Sequence, residues 1–352
     1  MQKIKINSLK NDDLEFFNWY PDYFKILEHD TVDSLVSANG VILLTENFIK
    51  TKRITLTKQI IENNKNLIIL SMLSEGTNTV LDTLISIGKT DSTRMPFIIS
   101  SGGLTEDISH INVDMFRYTL GRSTDDLTKR DSNITNQIFL KRNKPFLFNF
   151  LNGVNRNHRA LLLEKLNKKD LLARSLWSAL YDNKFLPKDY QFQVNSDNVI
   201  NGKYKLNDWP DGQIFANIFE DSYFSVVTET NFYLPYSFRT EKIYKPLKIG
   251  HPFVAAANYG FYRDLHNQGF KTFDHLIDES FDLIDDNDKR LNRIVDVVEF
   301  LCNSNLEEFL NEAEDICRHN RNVMISTQPP GADKNLIDEF TTKFNNYAKN
   351  KQ

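Results

Sequence analysis

Arg239, Thr240, Glu241 and Lys242 place two cations, a hydroxyl and a carboxylate directly before the run IYKPLKIG. Threonine is a favoured helix N-cap, and a carboxylate one residue later suits the positive end of a helix dipole. Cap chemistry therefore accounts for half of the run. Arg239 and Lys242 oppose the same dipole, and a helix start tolerates them more readily when an anion sits there. Ile243, Leu247 and Ile249 give the helix a face to bury. The pattern predicts a grip on phosphate, and Glu229, at the end of the apolar run SYFSVVT, supplies a second carboxylate nearby.

A second stretch, NGVNRNHR (152–159), follows a strand-like run and opens a helix-like one. Backbone N–H groups at such a start favour anions, and Arg156 and Arg159 would add charge. The simpler alternative lays Arg159 along the helix surface with Asn157 as the cap. Both readings stay open for Arg156, and the simpler one is preferred for His158.

These residues need a scaffold, and the hydrophobic pattern supplies one. GVILLT (40–45), NLIILSML (66–73) and PFIISSGG (96–103) read as buried parallel strands with helix-like text between them. The pattern restarts after a polar stretch at 121–144, with strands in KPFLFNFLNG, ARSLWSALY, DSYFSVVTET and HPFVAAAN. NRNHRALLLEKLNKKDLL reads as an amphipathic helix, and residues 260–286 as a short helix, a brief strand and a loop. Strand, loop, helix, strand is the grammar of a doubly wound α/β fold, whose ligands bind beyond the carboxyl ends of the strands. The expected organisation is an N-terminal α/β domain over 1–140 and a second over 141–325. The tail, 326–352, is expected as a helix packing back on the N-terminal domain.

Size and composition agree with this plan. The 352 residues are 40% hydrophobic, and the formal charge of −4 gives no overall electrostatic footprint for nucleic acid. Cys302 and Cys317 have no metal-ligand spacing, so no structural zinc is expected. With no Asp-x-Asp motif at a strand end, no other metal is expected, and no bound cofactor. No segment has the apolar length of a signal peptide or a membrane span, which predicts a cytoplasmic protein.

Glu229-Thr230, a loop, then RTEKIYKPLKIGHPFV resembles the donor-binding signature of fucosyltransferase-like glycosyltransferases. That family carries Glu-Asn, a loop, then Thr-Glu-Lys and an apolar helix; Thr230 stands here in place of the Asn. The resemblance spans about 145–285 and is specific over about 225–257. It implies two Rossmann-like domains of the GT-B type and a nucleotide-diphosphate sugar as donor substrate. It further implies that Lys242 contacts diphosphate, that Glu241 and Glu229 accept sugar or ribose hydroxyls, and that Arg156 is a further phosphate contact. Arg239 and Thr240 complete the donor set, and His251 in the Gly-His-Pro turn is another candidate contact.

An inverting transferase needs a carboxylate to deprotonate the acceptor hydroxyl and cations to stabilise the departing diphosphate. The base is expected at a strand end of the N-terminal half: Glu75 first, then Glu46, then Glu106. The acceptor is expected to be a glycan. One alternative is modified DNA bases, with KTKR (50–53) and KRNK (141–144) lining a basic cleft; another is a non-catalytic nucleotide-binding or scaffold protein. DDNDKR (285–290) reads as solvated, helix-capping text.

Overall fold

The computed structural model describes residues 3–12, 14–45, 48–49, 54–63, 67–72, 95–103, 109–122, 134–179, 214, 216–234, 237–328 and 330–351. The chain divides into two compact units, Met1–Met115 with Gln328–Gln352, and Phe116–Thr327. Each contains a parallel, Rossmann-like sheet. Among the described residues no helix is long and apolar enough to cross a membrane.

The strands of the first unit are β1 (Ile4–Leu9), β2 (Phe24–His29), β3 (Val41–Thr45), β4 (Leu67–Met72), β5 (Phe97–Ser100) and β6 (His110–Asn112). They lie in the order β2-β1-β3-β4-β5-β6, all parallel. Leu43, Ile69 and Ile98 are fully buried, as residues of a sheet covered on both faces must be. The three apolar runs read from the sequence in this half are β3, β4 and β5. β1 and β2 were not read from it, because Lys and Glu interrupt their apolar residues.

The short helices α1 (Glu15–Trp19) and α2 (Val32–Val36) follow β1 and β2, and α3 (Ile54–Asn63) follows β3. The helix Met115–Arg122, α4, begins at the division between the units.

In the second unit, β7 (Phe146–Asn152) is followed by helix α5 (Asn157–Lys168) and β8 (Leu176–Ala179). A short helix α6 (Ala216–Glu220) leads into β9 (Ser222–Thr228). Helix α7 (Glu241–Ile249), strand β10 (Phe253–Ala256) and helix α8 (Phe261–Asn267) come next. The order is β10-β9-β7-β8, again all parallel. No strand follows α8 among the described residues; residues 279–283 form a 3-10 turn instead. Without the alternating pattern of a strand, FKTFDHLIDES turns Phe270, Phe273 and Ile277 into the core from irregular backbone. Two long helices, α9 (Asn287–Asn303) and α10 (Leu306–Ile325), complete the unit.

The last helix, α11 (Lys334–Asn350), belongs to the first unit. Its Phe340 and Phe344 pack edge-on against Phe97 of β5, and the Tyr347 hydroxyl donates to the Ile68 carbonyl at 3.2 Å. These aromatic contacts bury the apolar stripe that gives α11 its amphipathic pattern.

One packed carboxyl of the second unit has a testable electrostatic consequence. Glu279 accepts from the Thr272 hydroxyl at 2.6 Å and the Phe273 N–H at 2.7 Å. Burial raises its pKa from 4.5 to about 7, against those two hydrogen bonds. The folded chain therefore holds this proton more tightly than the unfolded chain. The stability it contributes is complete below pH 4.5 and is lost as pH rises through about 7. Glutamine imitates the protonated acid, so Glu279→Gln is expected to remove this pH dependence. It should gain about 1–3 kcal/mol over wild type at pH 8 and nothing at pH 4. Urea midpoints at both pH values check this, and parallel shifts would contradict it.

Candidate functional site

The second sheet reverses direction between β7 and β9: the chain proceeds from β7 to β8 on one side, then crosses to β9 and β10 on the other. In open α/β sheets the crevice beyond the carboxyl ends at such a switch point is the ligand site. Here the two ends are Asn152 and Thr228, joined by a 2.6 Å hydrogen bond from the Thr228 hydroxyl to Asn152 Oδ1.

Glu229 continues β9 and is fully buried. Its Oε1 accepts from the N–H groups of Thr240 and Ile243, each at 3.2 Å. Its Oε2 accepts from the Thr240 hydroxyl at 2.7 Å and the Thr230 N–H at 3.2 Å. Four donors occupy the four lone-pair directions of the carboxylate. The anion demanded at the mouth of α7 is therefore carried by the chain itself. Burial raises the Glu229 pKa, while Lys242 and the Thr240 hydrogen bonds act against that rise.

Arg239 is also fully buried. Its guanidinium pairs with Asp264 of α8, and its Nε donates to the Tyr244 hydroxyl of α7 at 3.0 Å. It thus ties two helices together behind the sheet edge. Thr240 is the N-cap of α7, accepting from the Lys242 N–H at 3.3 Å, as its type and position predict. Lys242 Nζ reaches back to Glu241 at 2.5 Å and to the Thr240 hydroxyl at 3.3 Å. The Lys242 side chain retains 24% of its accessible surface, the most of this set. Burial would raise the Glu241 pKa, but Lys242 and Lys245 hold it below the usual carboxylate value. Gly250 closes α7 with φ +68°, where a Cβ would stand 3.1 Å from the Cys317 carbonyl.

The mouth of α5 is built differently. Its N-cap is Arg156, in extended backbone and half-buried; arginine has no acceptor and makes no cap hydrogen bond. Asn157 is the first helical residue rather than the cap, and donates to the Tyr233 hydroxyl at 3.1 Å. Arg159 lies inside, not along the surface: it donates to the Val154 carbonyl at 3.0 Å and the Thr228 carbonyl at 3.2 Å. His158 donates to the Glu229 carbonyl at 2.9 Å and stacks on Phe232. Burial first, then Arg159, lowers the His158 pKa to about 3, so the ring is neutral. These inward contacts fix the β7–α5 loop against the end of β9.

His251 sits away from this edge. It bonds Ser225 Oγ at 2.9 Å, within β9, and donates to the Ser222 carbonyl at the start of that strand at 3.0 Å. Glu46, Glu75 and Glu106 lie outside the described residues, as does KTKR.

Two features were missed in the sequence. Asn152 was read as the end of the KPFLFNFLNG strand and the head of NGVNRNHR with no role of its own, although a polar residue ending an apolar strand marks the site edge. Arg290 was passed over within the acidic DDNDKR text, where Asp286 does cap α9. Arg290 turns inward and donates to the carbonyls of Phe232, Ala257, Ile284 and Asp285 and to Asn287 Oδ1. One guanidinium thereby joins the loops that leave β9 and β10.

The chain matches no family model, no curated protein and no solved structure.

Proposed function

We propose that the protein is a glycosyltransferase that moves a sugar from a nucleotide-diphosphate donor to a hydroxyl acceptor, a glycan in the first instance. The reading is inverting and metal-independent. The observation that carries it is the β7–β9 switch point opening beside the mouth of α5, whose N-cap position is held by a cation. First-turn N–H groups and a guanidinium are the combination a diphosphate needs.

In this reading Arg156 and Lys242 bind the diphosphate and offset the charge that develops as it departs. Glu229, Thr240 and Arg239 position α7 and do not touch the donor. Glu241 orients the Lys242 ammonium and remains the carboxylate suited to a ribose or sugar hydroxyl. The acceptor hydroxyl attacks the anomeric carbon, the bond to the diphosphate oxygen breaks, and the hydroxyl proton passes to a carboxylate. Glu75 and Glu46 remain the proposed bases. The two Rossmann-like sheets are the building blocks of a GT-B enzyme, and this supports the class.

The KRNK cations are partly engaged within the fold. Lys141 pairs with Asp221, Arg142 donates to Asn311 at 2.6 Å, and the mostly buried Lys144 donates to the Glu220 carbonyl at 2.7 Å. Lys144 is taken up by the fold, while Lys141 and Arg142 stay exposed.

Calorimetry with GDP, UDP and dTDP tests the assignment. At least one should bind, and Arg156→Ala and Lys242→Ala should each weaken it about 10–100-fold, the loss expected for a charge-assisted hydrogen bond. Unchanged affinity in both variants would remove the diphosphate from this edge.

A further inference from the structure

Three buried side-chain atoms at the carboxyl edge of the second sheet have no hydrogen-bond partner among the described residues: Asn152 Nδ2, Thr230 Oγ1 and Asn258 Oδ1. Asn152 and Asn258 are only 1% and 2% exposed. Polar groups buried to this degree are normally paired, so three on one edge call for a ligand.

Strand register brings them to neighbouring positions. Asn149 pairs with Ser225, which puts Asn152 level with Thr228, and the 2.6 Å bond between those two side chains agrees. Thr228 pairs with Ala256, so Thr230 and Asn258 each lie two residues beyond that pair, past the ends of adjacent strands. The other end of each amide is anchored. Asn152 Oδ1 accepts from Thr228, and Asn258 Nδ2 donates to the Tyr259 carbonyl at 2.7 Å. The anchoring leaves a donor at Asn152, an acceptor at Asn258, and a hydroxyl at Thr230 able to play either role.

This inventory selects the ligand chemistry. A phosphate accepts only, and would meet the Asn258 oxygen unfavourably; a cation would meet the Asn152 N–H group in the same way. Vicinal hydroxyls donate and accept together, and neutral amides read them without forming an ion pair. We propose that Asn152, Thr230 and Asn258 bind hydroxyls of the transferred sugar, an inference that rests on the glycosyl-transfer reading above. It gives the sugar an uncharged cradle beside the cations proposed for the diphosphate.

Two substitutions isolate this role. Thr230→Val removes a hydroxyl that bonds nothing among the described residues. Asn152→Asp keeps the acceptor for Thr228 and replaces the unpaired donor with an acceptor. Binding of free GDP, UDP and dTDP is compared with binding of their hexose conjugates, alongside thermal melting of each variant. Wild type should bind a conjugate more tightly than its free nucleotide. Each variant should lose about tenfold of that increment. Its affinity for the free nucleotide should be unchanged, and Thr230→Val should melt no lower than wild type. An increment preserved in both folded variants overturns the cradle while leaving the transferase reading intact. Failure of any nucleotide or conjugate to bind wild type overturns both.

Discussion

Glu229→Ala should lower the unfolding free energy by about 3–5 kcal/mol, the cost typical of removing one member of a buried, fully bonded polar network. The substitution withdraws the acceptor from three backbone N–H groups and one hydroxyl, all belonging to Thr230, Thr240 and Ile243. It also leaves the positive end of α7 facing a cavity, with Lys242 close by. Glu229→Gln should recover only part of the loss, because its amide nitrogen would confront donors. Urea denaturation measures both variants. An unchanged midpoint with weakened nucleotide binding would mean that Glu229 faces the ligand, contrary to the four-donor geometry.

The second large effect belongs to Arg290. Arg290→Met should cost about 2–4 kcal/mol, since several buried carbonyls lose their donor together and each net hydrogen bond is worth about 1 kcal/mol. The guanidinium also stands 4.5 Å over the Phe232 ring, adding a cation–π contact that methionine does not restore. Because Phe232 and Ala257 follow β9 and β10, the damage should reach the site. Arg290→Met should weaken nucleotide binding although Arg290 touches no ligand in this account. Lysine should not rescue it, because one ammonium cannot span acceptors that a planar fork reaches. Rescue by lysine to wild-type stability would contradict the fork geometry.

The parallel core was legible because strands covered on both faces become unbroken apolar runs, and VILLT, FLFNFLN and SYFSVVT have no other plausible use. β1 and β2 escaped because in IKINSL and FKILEH apolar residues share the strand with Lys, Glu and His. The charged residues at the start of α7 stand out in the sequence, and Thr240 proved to be its cap. Their partners could not be read. Glu229 lies 11 residues before Thr240, and Asp264 lies 25 beyond Arg239; only the fold shows that these carboxylates meet the helix start and its arginine. The weaker NRNHR signal becomes the more informative one once Arg159 and His158 are seen to point inward and Arg156 is left in the cap position.

Turnover tests the central claim most directly. The full-length protein, incubated with GDP-, UDP- and dTDP-hexoses and a glycan mixture, should release nucleoside diphosphate from one of them. Arg156→Ala and Lys242→Ala should reduce that release at least tenfold. No release from any donor, with wild type shown to be folded, would contradict glycosyl transfer; release undiminished in both variants would contradict a diphosphate site at the mouths of α5 and α7.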